Sequence, residues 1–364
     1  MKKISILINK EAQNLGLYYG YWNWFLYFKQ ELNDLGFKVE FHRKISSRYL
    51  EADYLFLNSR SFSTLDDYVN LTKLEKIKKI NNNIYWFDMR DSAGTTQFEV
   101  LPFVKKYVKK QLYKDKSLYV KNLYGGRYYT DFYHNKFNIN DKKQYDQKKL
   151  DINLSSKVIL GWNLGVAQIF DHSTFSKLDY WQEYIRFKFF NKKKYSMILD
   201  FNNNNLNKID IICLMNKNFE RNTVGYQRNR INDFLKNSNY KNCLYNKRLN
   251  KKNYLKNLKN SKLSLGSFGW GEICYREFEA IRCGAAFTTA DMSNIETWPN
   301  IYLKNETYIP YSLDFSDISE VINEILNNNE LRTKLIKNSQ EILINTHNEI
   351  GKKYFLDKIL EILK

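Results

Sequence analysis

Residues 264–289 read S-L-G-S-F-G-W-G-E-I-C-Y-R-E-F-E-A-I-R-C-G-A-A-F-T-T. The pattern is strand, turn, helix, small-residue stop and strand. Leu263 and Leu265 belong to a short apolar run of strand character. Gly266, Gly269 and Gly271 then punctuate a turn, where glycine permits positive φ or close backbone approach. From Glu272 the spacing is helical. Ile273, Phe278 and Ile281 share an apolar face with Tyr275 at its edge, and Arg276, Glu279 and Cys283 recur on the neighbouring face. Cys283 and Gly284 close the helix with glycine at the C′ position, and residues 285–289 begin the next strand.

The chemistry this stretch offers is that of an anion and a sugar. A glycine-rich turn entering a helix presents free backbone N–H groups beside the positive end of the dipole, which seats phosphate. Arg276 adds a planar fork that matches phosphate oxygens. Glu279, one turn on, can accept from vicinal hydroxyls. The spacing alone fits equally well an ordinary surface helix whose Arg and Glu form solvated pairs.

The run Tyr275-Arg276-Glu277-Phe278-Glu279-Ala280, followed by Cys283-Gly284, resembles the donor-site helix of GT-B glycosyltransferases. It is most similar to the exostosin-like and spore-coat-type families. The resemblance implies that Glu279 binds the ribose of a nucleotide-sugar, and that Gly269, Gly271, Glu272, Tyr275 and Arg276 form the rest of the donor seat. A second Glu, which many retaining members carry eight positions upstream, falls on Gly271, with Glu272 beside it.

Outside this stretch the chain alternates strands and helices. Residues 4–8, 37–41, 52–57 and 84–87 read as strands. Residues 9–21 read as a loop, 24–35 as a helix stopped by Gly36, and 71–80 as a second helix. Such alternation implies a mainly parallel sheet covered on both faces, with ligands at the C-terminal strand edges. At one such edge, residues 88–96 carry Asp88, Asp91, an Arg and several hydroxyls. Either Asp88 or Asp91 could take a proton from an acceptor as general base; the same residues also suit a turn that caps backbone groups.

Residues 102–116 read as a lysine-bearing amphipathic helix. That helix could meet an anionic membrane or pack as an ordinary surface helix. Residues 124–133 are a Tyr-rich passage, His172 is a lone histidine, and residues 180–190 read as an aromatic helix. The four-Asn run at 202–205 marks a boundary, and a second α/β unit opens at 209–215. Arg221 and Arg228 lie in a basic stretch after that strand. The resemblance suggests that they meet the donor diphosphate, while a solvated basic loop fits the same residues. Residues 318–326, 331–344 and 350–363 read as helices.

The chain has 364 residues, enough for two cores, and a net charge of +19 that favours an anionic partner. Zinc-finger, RNP and basic-zipper patterns are missing, so nucleic acid is not expected as a partner. The four cysteines show no CxxC spacing and read as free thiols in a reducing compartment. No run reaches the length of a membrane span. No Asp-x-Asp, Walker A or His-Glu-x-x-His occurs, so no metal and no cofactor are expected.

The resulting expectation is an α/β protein of two Rossmann-like domains facing a central cleft. Residues 1–201 would form the acceptor domain and 202–346 the nucleotide-sugar donor domain, with 347–364 a last helix crossing back. The function expected is metal-independent transfer from a nucleotide-sugar to a glycan or lipid-linked acceptor in cell-surface polysaccharide synthesis. The enzyme would be cytoplasmic, peripheral at most on an anionic membrane. A non-catalytic glycan- or nucleotide-binding module on the same fold is the second reading. A basic nucleic-acid binder, marked by strong salt dependence, is the third.

Overall fold

The computed structural model describes residues 1–8, 15–62, 69–143, 145, 147–167 and 208–364. The expected helix at 180–190, His172 and the Asn-rich boundary lie outside the described residues.

The first unit is built on strands β1 (Lys2–Leu7), β2 (Phe37–His42), β3 (Tyr54–Asn58), β4 (Ile84–Asp88), β5 (Lys106–Lys109) and β7 (Val158–Leu160). They form one parallel sheet in the order β2-β1-β3-β4-β5-β7. β3 (Y-L-F-L-N) and β4 (I-Y-W-F-D) are apolar runs without alternation, as strands covered on both faces require, and every residue of β4 is buried. Helix α1 (Leu15–Tyr27) and helix α2 (Lys29–Asp34) follow β1. Helix α3 (Leu71–Ile80) precedes β4, with the Asn70 side chain accepting from the Lys73 amide at 2.9 Å as its N-cap.

Two sequence expectations are corrected here. Residues 15–21 are helical, not loop: α1 takes in Gly16 and Gly20. Tyr21, Trp22, Trp24 and Phe25 pack in an aromatic cluster with Phe56, Phe87 and Trp162. Burial of those rings outweighs the roughly 1 kcal/mol that a helical glycine costs. The second correction concerns residues 102–116, which form no α-helix; only their ends fall in the 3-10 turns Phe98–Phe103 and Lys116–Tyr119. β5 and β6 (Gln111–Tyr113) run through them, and Lys109 and Lys110 are buried. Tyr107, Val108 and Leu112 fit a helical stripe and a buried strand equally well. The choice falls to Asp88 on the neighbouring strand, whose carboxylate receives Lys109 Nζ at 2.8 Å. A lysine-faced membrane helix does not exist here.

The second unit carries a parallel sheet of β8 (Ile209–Cys213), β9 (Cys243–Tyr245), β10 (Ser261–Leu265) and β11 (Ala286–Thr288) in the order β11-β10-β8-β9. Helices α5 (Asn222–Asn237), α6 (Lys251–Leu258), α7 (Tyr275–Arg282), α8 (Ile318–Asn327) and α9 (Asn329–Asn345) complete it. The Tyr-rich passage of the first unit contains helix α4 (Tyr128–Phe137). Gly284 closes α7 at φ 71°, the left-handed conformation its position called for.

Several connections join the units. β12 (Ile295–Thr297) pairs antiparallel with β6 of the first unit, Glu296 opposite Leu112. Helix α4 packs on α5, with Gln227 donating to the Tyr133 hydroxyl at 2.6 Å. The last helix, α10 (Glu349–Leu363), lies against the first unit, where Phe355 stacks on Phe28 at 5.6 Å. The C-terminal edges of β4 and β10 thereby face each other across a cleft.

Candidate functional site

Two loops meet in this cleft: residues 88–96 after β4, and residues 266–274 after β10. The approach is close. A Cβ on Gly271 would collide with the backbone carbonyl of Asp91, so only glycine admits the two loops at this separation. Glu272, fully buried, fixes the junction. Its Oε1 accepts from Ser92 Oγ at 2.7 Å, and its Oε2 accepts from the Ala93 amide and Gln111 Nε2, each at 3.0 Å. The carboxylate, expected among the donor-binding residues, is occupied by these contacts with the first unit.

The glycine turn is shaped by arginines. Arg228 lies in the middle of α5, not in a loop, and reaches the turn from below. Its Nε donates to the Phe268 carbonyl at 2.9 Å and its Nη1 to the Asn216 carbonyl at 3.0 Å. A Cβ on Gly269 would strike its guanidinium. Arg276, in the first turn of α7, makes long contacts from Nη2 to the Ser267 carbonyl at 3.4 Å and to Cys274 Sγ at 3.5 Å. Its Nε is buried without a partner. Burial and, next, the Arg276 charge hold the Arg228 guanidinium below its ordinary value. Two cations forced into proximity at a helix start leave a positive field for an anion.

Glu277, which the sequence reading did not single out, lies between them. Its Oε2 accepts from the Cys274 amide at 3.0 Å, the N3 partner of a capping box, while Oε1 is buried without a partner. Burial pushes its carboxyl up to about 7, against the pull of Arg276. Glu279 pairs with Lys251 of α6 and remains at the site's edge with its side chain 14% exposed. Tyr275 lies between the Asp91 and Glu279 charges, and burial followed by those charges raises its hydroxyl.

Arg221 is drawn elsewhere. Its Nε pairs with Asp141 at 2.8 Å, its Nη2 donates to the Gly125 carbonyl at 3.0 Å, and the guanidinium stacks over Tyr145. Asp141 takes up the charge expected for the diphosphate. In its place the structure brings Arg127, from the first unit, to the turn: its guanidinium lies 5.7 Å from the ring of Trp270, with Nε buried and unpartnered. Beside it the Tyr129 hydroxyl donates to the Gly269 carbonyl at 2.8 Å. Tyr124-Gly125-Gly126-Arg127 was the only local signal for this arginine. Its partner lies in the other unit and is invisible to any sequence window.

The two acid candidates separate. Asp88 is fully buried, accepting from the Tyr107 hydroxyl at 2.5 Å, Lys109 Nζ at 2.8 Å and the Arg90 amide at 2.9 Å. Burial alone would raise its carboxyl; the Lys109 and Arg90 charges prevail and bring it to about 2. Asp88, one of the two residues expected as base, is thus held in a buried ion pair with Lys109. Asp91 stands at the mouth with its side chain 44% exposed, 3.2 Å from Lys110 Nζ and 3.6 Å from Arg60. Burial opposes its ionisation, but the Lys110 and Arg60 charges win and keep the carboxyl below its ordinary value. Among the described residues no group of three His, Cys, Asp or Glu side chains is placed to hold a metal ion.

No protein-family model and no curated protein matches the chain. Solved structures do. One is a T4 phage BGT with its UDP-glucose substrate, 12% identical over all of both chains at a TM-score of 0.46. Another is an alpha-glucosyltransferase with UDP-glucose and DNA containing an abasic site, 12% identical over 99% of each chain at a TM-score of 0.41. A third is an alpha1,3-fucosyltransferase, 14% identical over all of this chain and 90% of that one, at 0.43. Two further alpha-glucosyltransferase structures hold a 13-mer DNA, and a beta-glucosyltransferase among the similar structures is a DNA modifying enzyme. Two expectations are accordingly withdrawn: a glycan or lipid-linked acceptor in polysaccharide synthesis, and the exclusion of nucleic acid as a partner. The architecture itself is two parallel α/β units flanking a cleft, as the sequence led one to expect.

Proposed function

We propose that the chain transfers a sugar from a uridine diphosphate sugar to a nucleic-acid acceptor, in the cleft where residues 266–274 meet residues 88–96. One observation carries the reading. The adjacent guanidiniums of Arg228 and Arg276 sit at a glycine-led turn, and the part-exposed Asp91 carboxylate lies across Gly271 from them. A diphosphate leaving group develops negative charge as its bond to the sugar breaks. Preorganised cations in a closed cleft stabilise that charge.

In this reading the diphosphate lies on the 266–274 turn, facing Arg276, with Arg127 and Arg228 behind it. The likeness of residues 275–280 to the exostosin-like and spore-coat-type donor helix supports placing the ribose on Glu279, with Lys251 orienting its carboxylate. Asp91 takes the proton from the acceptor hydroxyl as the bond from that oxygen to the sugar forms and the bond to phosphate breaks. Residues 1–201 serve the acceptor and 202–346 the donor, while residues 347–364 return to the first unit. The net charge of +19 supports an anionic acceptor. A membrane-peripheral placement has lost its basis with the lysine helix. Among the described residues, no helix is long and apolar enough to cross a membrane.

The test is calorimetric titration with UDP and UDP-glucose, followed by hydrolysis and transfer assays. Arg276→Ala should weaken UDP binding and lower turnover at least about 100-fold, the scale of losing one preorganised electrostatic contact. Arg276→Lys should recover part, since a point charge replaces the fork incompletely. Turnover should survive EDTA. Unchanged UDP affinity in Arg276→Ala would refute the donor seat. Activity that returned only with added divalent metal would refute the cationic role of the arginines.

A further inference from the structure

Behind the 88–96 loop, in the first unit, lies a cavity of about 680 Å³. Gly94 and Thr96 form one wall, so it is continuous with the loop that carries Asp91. Lys121, Lys142, Lys143, Lys148 and Lys149 line its rim; all are exposed, and among the described residues none is in an ion pair. The carboxylates in the lining, Asp131 and Asp141, are already partnered. Asp131 accepts from the Tyr124 amide at 2.7 Å and from Asn135 at 3.0 Å; Asp141 pairs with Arg221 and accepts from the Thr223 amide at 2.8 Å. Among the described residues, the rim's positive charge is therefore not neutralised from within.

The lysines stand on a pinned segment. Asp141 is anchored by Arg221, Gln147 accepts from the Thr96 amide at 2.9 Å, and the Leu150 amide donates to the Tyr119 carbonyl at 3.0 Å. These anchors bracket Lys142 and Lys143 on one side, Lys148 and Lys149 on the other. Gly125 and Gly126, at φ 65° and 73°, form the floor; a Cβ on either would strike Arg221 or Gln147. The rings near the floor are engaged internally: Tyr124 stacks on His134 at 3.8 Å and Tyr145 lies under Arg221. What the cavity offers is fixed point charges, not faces for stacking bases. Lysine point charges without base-reading forks suit a phosphate backbone read without sequence.

We propose that this lysine-rimmed cavity is the cradle for the phosphate backbone of the nucleic-acid acceptor, holding the strand beside Asp91. The inference rests on the nucleic-acid acceptor of the proposed function. Five separated charges exceed what a single nucleotide diphosphate requires, and the donor has its own seat at the glycine turn.

The experiment compares wild type with a variant in which Lys142, Lys143, Lys148 and Lys149 are changed to Gln. A fluorescent short DNA duplex is titrated over a range of salt, and UDP-glucose binding is measured in parallel. Because the four side chains are exposed, the variant should melt with wild type; Lys143→Glu alone is the second variant. The expected result is a loss of DNA affinity of at least about 10-fold at 0.1 M salt, and a log–log salt slope shallower by about 3–4, at about 0.9 for each phosphate no longer neutralised. UDP-glucose affinity should not change, and Lys143→Glu should weaken DNA in the same direction. If wild type binds DNA and the variant binds it as tightly with the same slope, the cradle is refuted while the acceptor reading stands. If wild type binds no DNA at low salt, both fail, and the donor seat is judged by UDP-glucose alone. A parallel loss of UDP-glucose affinity would make the cavity a donor site and overturn the proposal. Loss of binding to anionic phospholipid vesicles with DNA binding intact would do the same.

Discussion

Glu272 should be the residue on which the alignment of the two units turns. Its buried carboxylate accepts three hydrogen bonds from the other unit, from Ser92 Oγ, the Ala93 amide and Gln111 Nε2. Hydrogen bonds to a charged group contribute about 1.5–3 kcal/mol each, and three on one carboxylate are not additive. Glu272→Ala leaves three donors facing a void and should cost about 3–5 kcal/mol, since each buried donor left without a partner costs about 1–3 kcal/mol and the losses are less than additive. Glu272→Gln can keep its oxygen toward Ala93 and Gln111 and turn its amide nitrogen to Ser92, whose hydroxyl can accept. It should cost about 2 kcal/mol, chiefly the lost charge. The assay is urea denaturation of the single variants, Ser92→Ala and the Ser92/Glu272 double variant. Coupling between the two sites should be about 1 kcal/mol or more. Both Glu272 variants should also raise KM for the acceptor more than for UDP-glucose, because the 88–96 loop loses its hold. A Glu272→Ala protein within about 0.5 kcal/mol of wild type, the range of an ordinary surface change, would refute the reasoning. So would strict additivity with Ser92→Ala.

Two further outcomes follow from the same cleft. Glu277 has its carboxyl raised by burial from 4.5 to about 7, so its contribution is fully present below pH 4.5 and is lost as pH rises through 7. Glu277→Gln should therefore gain on wild type by up to about 3 kcal/mol between those limits; melting curves across the range that run parallel for the two proteins would contradict it. Gly271→Ala places a Cβ against the Asp91 carbonyl and should cost about 1–3 kcal/mol as overpacking. It should weaken acceptor use while sparing UDP affinity in calorimetry, and an unaltered acceptor KM would show that the loops separate freely.

Much of the architecture was legible in the chain. β1, β3, β4 and β8 are apolar runs of strand length; α3, α8, α9 and α10 carry apolar spacing, and α3, α9 and α10 Asn caps, that depend only on residues a few positions apart. The 264–289 pattern located the glycine turn, the helix with Arg276 and Glu279, and the stop at Gly284, because each needs only local backbone chemistry. What failed locally failed for one reason: the deciding partner was remote in sequence. Residues 102–116 hold a spacing that suits helix and strand alike, and Asp88 across the sheet settled it by receiving Lys109. The same contact buried Asp88 in an ion pair and left Asp91 as the more exposed of the two acids. Asp141 pairs with Arg221, and Ser92 and Gln111 hold Glu272. By itself, then, the sequence determined the strands, the helices and the glycine turn whose spacing admits one reading, since those follow from local propensity. Only the tertiary structure decided which charged side chains remain free to act, because a buried charge is committed to whichever opposite group the fold brings within hydrogen-bonding distance.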